Sequence, residues 1–220
     1  MDDARFDAQD MARRIVRSAA TAALGTLTTE GGPFVTFVTV ATDIDGAPLV
    51  FLSGLAAHTR HLARDGRASL LMQAPAGDGE DPLTGARVTV MGNFRRVARD
   101  EASHARLLGR FLARHPQAEG YAGFGDFSIH HMNVDGVHLV AGFGRIARLF
   151  ASEFLVPAAV ADAFAAAEAG LLDDLNGSGP RLVAVDPDGV DVADKSVKRL
   201  SFPRRVDDPG EVKAFLAGLG

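Results

Sequence analysis

The chain contains no cysteine, which removes disulfide cross-links, thiolate metal centres and cysteine nucleophiles from consideration. It also lacks an uninterrupted apolar stretch of the ~18 residues that a membrane-spanning helix needs. The longest candidate, residues 157–172, is broken by Asp162 and Glu168. Nor is there a basic excess: 23 Lys and Arg stand against 28 Asp and Glu, a net charge of −5. The cationic face of a nucleic-acid binder is therefore not expected. The start, Met1-Asp2-Asp3, is acidic, unlike the basic opening of a secretory signal. These absences predict a cytoplasmic protein with neither nucleic-acid nor membrane partners.

What is present is a chain of 220 residues, 47% apolar and 23% charged, enough to build a substantial core. Acids and bases balance over residues 1–150, with 16 of each, whereas residues 151–220 hold 12 acids and 7 bases. This change of character predicts a main domain over 1–150 and a small α/β appendage over 151–220.

The first segment, residues 6–23, spaces Met11, Ile15, Ala19 and Ala22 as a helix does. Strand texture follows over residues 23–29, 34–40 and 49–53, separated by the turns Glu30-Gly31-Gly32-Pro33 and Asp43-Ile44-Asp45-Gly46. A short helix is predicted over 57–64, then strands over 68–72 and 87–97, the latter with a bulge or bend at Gly92. Residues 75–85 read as a loop. Asp100-Glu101 opens a helix carrying Leu107, Leu108, Phe111 and Leu112, and two strands, 126–134 and 137–141, flank an Asp135-Gly136 turn. About seven short strands with tight connections favour an antiparallel barrel over a parallel sheet. The tail reads as a helix over 158–175, strands over 181–185, 190–192 and 197–202, and a closing helix.

Chemistry concentrates where the third strand meets the basic helix, Ser53-Gly54-Leu55-Ala56-Ala57-His58-Thr59-Arg60-His61-Leu62. A helix N-terminus offers unpaired N–H groups to an anion. Ser53 and Thr59 add hydroxyls, and Arg60 adds a guanidinium fork suited to phosphate. The same pattern also suits an ordinary amphipathic surface helix. His58 and His61 share a helix face, but two imidazoles do not make a metal site and no carboxylate neighbours them in sequence, so no metal is expected. His130 and His131 lie on a predicted strand and point to opposite faces. The segment Gly142-Phe143-Gly144-Arg145 is too isolated to be a nucleotide loop, and no Gly-x-Ser-x-Gly elbow occurs.

The order of these pieces resembles the flavin-binding split barrel of the pyridoxamine 5′-phosphate oxidase superfamily. The runs concerned are Pro33-Phe34-Val35-Thr36, Leu49-Val50-Phe51-Leu52-Ser53, His58-Thr59-Arg60-His61-Leu62 and Arg67-Ala68-Ser69-Leu70-Leu71. The branch of bacterial haem-utilisation proteins is more similar still, through Ser53 to Leu62, Asp81-Pro82-Leu83-Thr84-Gly85, Arg87-Val88-Thr89, Gly125-Asp126-Phe127 and Gly142-Phe143-Gly144-Arg145. The small α/β domain fused to that branch is matched by residues 185–191 and 200–203. The resemblance implies a mostly β fold with helices, an antiparallel split β-barrel of the FMN-binding type followed by the small α/β domain. It also implies a homodimer that holds FMN, with the flavin phosphate against Ser53, Thr59 and Arg60, the ring system bordered by Thr36, Phe37 and Val38, and His58 among the cofactor-binding residues.

Two departures shape the functional expectation. Where pyridoxamine phosphate oxidases use an arginine–lysine pair, this chain has Ala57-His58. Where the haem-utilisation relatives carry a histidine-rich tail motif, it has Asp174-Leu175-Asn176-Gly177-Ser178-Gly179, and a carboxylate is a poor substitute for imidazole on haem iron. The leading expectation is an FMN-dependent oxidoreductase of unassigned substrate, with no catalytic acid or base identified. The alternatives are a haem-binding or haem-degrading protein using another histidine, such as His58 or His131, and a cofactor-free scaffold. Under the flavin expectation, Arg60→Ala should weaken FMN binding by ~1.5–3 kcal/mol, measured by quenching of flavin fluorescence; unchanged affinity would remove Arg60 from the site.

Overall fold

The computed structural model describes residues 6–74, 81, 83–142, 144–176 and 180–217. Parts of the predicted 75–85 loop, of Gly142-Phe143-Gly144 and of the 174–179 segment lie outside the described residues, as does Met1-Asp2-Asp3. The opening helix α1, Ala8–Ser18, starts where the Asp7 carboxylate accepts the Asp10 N–H at 2.9 Å. It is shorter than its predicted range, because β1 (Thr21–Leu27) already begins at Thr21.

The main sheet continues with β2 (Pro33–Thr39), β3 (Ala41–Thr42), β4 (Pro48–Ser53), β5 (Arg67–Gln73), β6 (Arg87–Arg96), β7 (Phe127–Val140) and β8 (Ile146–Phe150). Helix α2 (Ala57–Arg64) follows β4, and α3 (His104–Arg114) and the short α4 (Glu119–Ala122) lie between β6 and β7. The strand order is β2-β1-β5-β6-β7-β4-β3, with β8 also paired to β7 and each neighbouring pair antiparallel. The sheet curls into a half-barrel, the split-barrel fold that the motifs imply.

Two predictions about this sheet are corrected. The strands expected over 126–134 and 137–141 are one continuous strand, β7, and Asp135-Gly136 is not a turn. The ladder pairs Met91 with Gly136 and Gly92 with Val134, leaving Asp135 as an extra residue in a bulge. Gly92 permits this, since a Cβ there would stand 2.1 Å from the Asn133 carbonyl oxygen. Pairing with β6 along its length, and with β4 and then β8 on its other side, keeps β7 extended through an Asp-Gly pair that would turn in isolation. Among the described residues eight strands, not about seven, precede residue 151, because β3 is only two residues long and β8 carries Arg148 among its apolar residues. The helix expected from Asp100 begins at His104, because the Glu101 carboxylate accepts the Ala98 N–H at 2.6 Å and forms a turn instead.

Burial explains β4, which is buried on both faces. Val50 and Leu52 join the barrel core with Leu24, Leu70, Val90 and Met132, whereas Leu49 and Phe51 pack under α3 with Phe111 and Ile129. The opposite, outward face of the barrel is different. Register places Val35, Gly25, Ser69, Met91, Gly136 and Phe150 in one row, and Phe37, Ala23, Leu71, Thr89, His138 and Arg148 in the next. Val35, Phe37 and Phe150 are 66%, 76% and 75% exposed, so this face carries an apolar strip that the described residues leave uncovered.

After the turn α5 (Ala151–Phe154), helix α6 (Ala158–Leu175) packs on a second antiparallel sheet, β9 (Arg181–Asp186), β10 (Gly189–Ala193) and β11 (Val197–Ser201), and α7 (Val212–Ala217) closes the chain. Phe164, Val185, Val190, Phe202 and Val206 form its core, joined by Ile44 from the β3–β4 connection. Among the described residues no helix is long and apolar enough to cross a membrane.

The seam between the two sheets is ionic and buried. Asp186, fully buried, meets Arg17 at 3.4 Å, Arg110 at 3.2 Å and Arg199 at 2.5 Å. Arg17 also donates to the carbonyls of Asp43 and Ile44 at 2.5 and 2.7 Å and to the Asp188 carboxylate at 3.0 Å. Burial by itself would raise the Asp186 carboxyl, but Arg17, Arg199 and Arg110 together hold it well below the ordinary 3.8. Asp186→Ala should therefore destabilise the fold by ~3–5 kcal/mol in urea denaturation, since it leaves three buried cations without their shared counter-charge. Because the folded-state pKa is depressed, this contribution is complete above about pH 4 and is lost as pH falls further towards the folded value. Wild-type stability measured by circular dichroism should decline over that acid range.

Candidate functional site

The junction predicted from the sequence is built by short local contacts. Where β4 ends, the Ser53 hydroxyl donates to the Asp126 carboxylate at 2.6 Å and accepts the Leu55 N–H at 3.2 Å. The Gly54 N–H donates to the Asp126 carbonyl at 2.7 Å, which ties the start of α2 to the segment before β7. The Thr59 hydroxyl donates to the Ser53 carbonyl at 2.7 Å, and Arg60 Nη1 donates to the Leu55 carbonyl at 2.7 Å. Both hydroxyl protons are thus committed to bracing the turn, and the remaining N–H groups of Arg60 have no hydrogen-bond partner among the described residues.

Helix α2 packs against β1, β2 and β6. Its imidazoles reach down to β1 and β2: His58 Nδ1 stands 3.0 Å from the Thr36 hydroxyl and His61 Nδ1 stands 3.1 Å from the Thr26 hydroxyl. The Phe34 ring meets His61 edge-on, with centroids 5.0 Å apart. Burial, with help from the neighbouring His61, lowers the His58 pKa below 6.5. Leu62 enters the barrel core beneath.

Between α2 and the ends of β6 and β7 opens a cleft of about 350 Å³. Arg60 and Arg96 bring guanidinium groups to it, Leu62 and Ala63 an apolar wall, and Ser128 and His130 its strand side. Arg96 and His130 are directly paired across the β6–β7 ladder. His130 is 4% exposed, and its Nδ1 lies 3.1 Å from the Ser128 carbonyl. A carbonyl only accepts, so this bond puts the proton on Nδ1 and leaves the lone pair on Nε2. Burial is the main reason that the His130 pKa falls to about 4, reinforced by the charges of Arg96 and His58 against the weaker pull of the carbonyl bond.

The expected residues are therefore distributed as follows. Thr59 and Arg60 line the cleft and Ser53 braces its rim, while Thr36 and His58 meet each other beside it. Phe37 stands on the outward apolar face, and Val38 is in the barrel core. Arg96, Ser128 and His130 were not singled out for this cleft by the sequence; the alternation of His130 and His131 across a strand was the one available signal. His131 faces the other way and stands 3.5 Å from the Asp43 carboxylate. Asp43, Asp45 and His131 form the one cluster of metal-ligating groups among the described residues. Asp43 there is already bound by Arg106 and by the Ile44 N–H.

Comparison with known proteins gives a consistent picture. Residues 3–155 match the sequence model of the family described as "CREG, beta-barrel". The chain is 38% identical over 113 residues to the chloroplastic non-canonical heme oxygenase HOZ of Arabidopsis thaliana, a match covering 51% of this chain and 33% of that protein. It thus spans about a third of that curated relative. Among solved structures, protein Atu2129 of Agrobacterium tumefaciens, of unknown function, superposes with a TM-score of 0.80 at 28% identity over 98% of this chain and 96% of that one. A heme binding protein from Mycobacterium smegmatis superposes with a TM-score of 0.64, also at 28% identity, with the same 98% and 96% coverage.

Because the His130 pKa is depressed, its neutral folded form contributes stability that is complete above about pH 6.5 and declines as pH falls towards 4. Histidine NMR should show a neutral, Nδ1-protonated His130 down to about pH 5; a midpoint near 6.5 would show that the imidazole is open to water.

Proposed function

Since the chain belongs to the CREG beta-barrel family, we propose that it binds haem in the cleft beneath α2, as one half of a homodimer. The observation that carries this reading is the composition of the cleft: two guanidinium-bearing residues, Arg60 and Arg96, an apolar wall from Leu62 and Ala63, and a neutral buried imidazole in a single cavity. An amphipathic anionic ring needs this combination. Its carboxylates are matched by cationic forks and its body by apolar side chains. The cavity lies at the small end of the roughly 300–1,000 Å³ found for ligand sites, so it suits one side of such a ring. Two similar proteins whose names refer to heme, one of them matched over nearly the whole chain, support the same reading.

Haem, if bound, would supply a Lewis-acidic iron able to take a ligand from the protein. The chain's own part is to pair the ring's anionic groups with Arg60 and Arg96 and to exclude water with Leu62. Pairing of two copies is supported by the outward strip of Val35, Phe37, Leu71, Met91 and Phe150, an exposed apolar face of the kind that a second copy would cover. A second reading, FMN in the same cleft, is favoured by the proximity of Arg60 and Arg96, whose donors also suit a phosphate.

Titration of the full chain with haemin, and separately with FMN, tests both readings by visible absorption. A Soret band saturating at equimolar haemin is the expected result. Flavin bands retained through gel filtration, with no Soret change, would replace haem by FMN; neither would dismiss both. In light scattering at micromolar concentration the chain should run as a dimer and Phe37→Glu as a monomer, and a monomeric wild type would overturn the pairing.

A further inference from the structure

We infer that His130 is the side chain that ligates the haem iron in this cleft. The inference rests on the haem reading above and assigns its metal ligand. His130 sits on the barrel's strand side, register-paired with both Val50 and Arg96, so the ladder holds its backbone from two sides. The Nδ1–H to Ser128 carbonyl bond fixes the ring plane and the tautomer, the outer-shell arrangement that orients metal-bound imidazoles. Nε2 has no hydrogen-bond partner among the described residues, and His130 lines the cleft. An imidazole acceptor on the wall of the cleft is thus left for whatever enters.

The other histidines are placed elsewhere. His58 and His61 are turned to Thr36 and Thr26 and do not line the cleft. His115 Nε2 is bonded to the Val40 carbonyl, His131 faces Asp43, and His138 lies on the outward face. His104 begins α3, on the far side of β4 from the barrel core. The groups that face the cleft around His130 are cationic, Arg60 and Arg96, apart from Asp126, whose carboxylate is engaged by the Ser53 hydroxyl. A ring carrying its carboxylates on one edge would therefore be drawn in with those groups towards the guanidinium groups and its metal towards Nε2.

The test compares haemin with metal-free protoporphyrin IX, which offers the same ring and carboxylates without iron. Wild type should bind haemin more tightly than the metal-free ring. His130→Ala and the more conservative His130→Gln should each lose at least about tenfold in haemin affinity and shift the Soret band, while affinity for the metal-free ring stays within about twofold. Added imidazole should restore the band in His130→Ala. Independently of any variant, haemin should broaden the His130 ring resonances of the ¹⁵N-labelled wild type beyond detection, and the metal-free ring should not. Variants that keep wild-type haemin affinity and spectrum, or a His130 signal untouched by haemin, would overturn the ligand assignment and leave the haem reading standing. A wild type that binds neither ring would overturn the haem reading, and the assignment with it.

Discussion

A single carboxylate with no solvent contact, Asp186, holds together guanidinium groups from α1, α3 and β11. A charge so enclosed is tolerable only when it is multiply paired, and here the pairs come from both sides of the seam between the two sheets. The consequence reaches beyond the seam. Arg17, one of the three partners, also binds the carbonyls of Asp43 and Ile44, and Arg110 binds the carbonyl of Thr42 at 3.2 Å. The β3–β4 connection is therefore held by the same cations that neutralise Asp186, and β4 leaves that anchored point to deliver Ser53 to the cleft.

The cleft itself depends on a shortage of cover. The barrel's interior is filled with apolar side chains along most of its length, but at the α2 end the strand residues are Arg96, Ser128 and His130, and α2 answers them with Arg60, Leu62 and Ala63. The imidazoles of α2 fasten that helix to β1 and β2, away from the cleft. Its junction with β4 is braced by Asp126, so the hydroxyls first suspected of holding an anion serve the geometry of the rim and the guanidinium groups carry the charge.

Much of this was legible in the residues. The α2 range follows from its three-to-four-residue rhythm, the α6 range from its alanine-rich composition, and the mostly antiparallel character from the short connections between strands. The β4 run Leu49-Val50-Phe51-Leu52 reads as continuously apolar because α3 covers one face and the barrel core the other. Asp135-Gly136 misled for a physical reason: a turn-forming dipeptide was outweighed by ladder pairing on both edges of β7, with Gly92 supplying the space. The strand β8 was not anticipated because its Arg148 and short length mute the pattern. Arg96 and His130, 34 positions apart, carried no local sign of being neighbours.

By itself the sequence determined the classes of chemistry left open, since composition and short-range pattern are properties of the chain alone. The lack of cysteine, the balanced charge of the first 150 residues and the basic strand-to-helix junction belong to that set. Only the tertiary structure decided which imidazole faces the cleft and which is turned away, which hydroxyls are already spent, and which cations meet across the seam. Those outcomes hang on register and bulge position, where one extra residue such as Asp135 exchanges the two faces of a strand for everything beyond it.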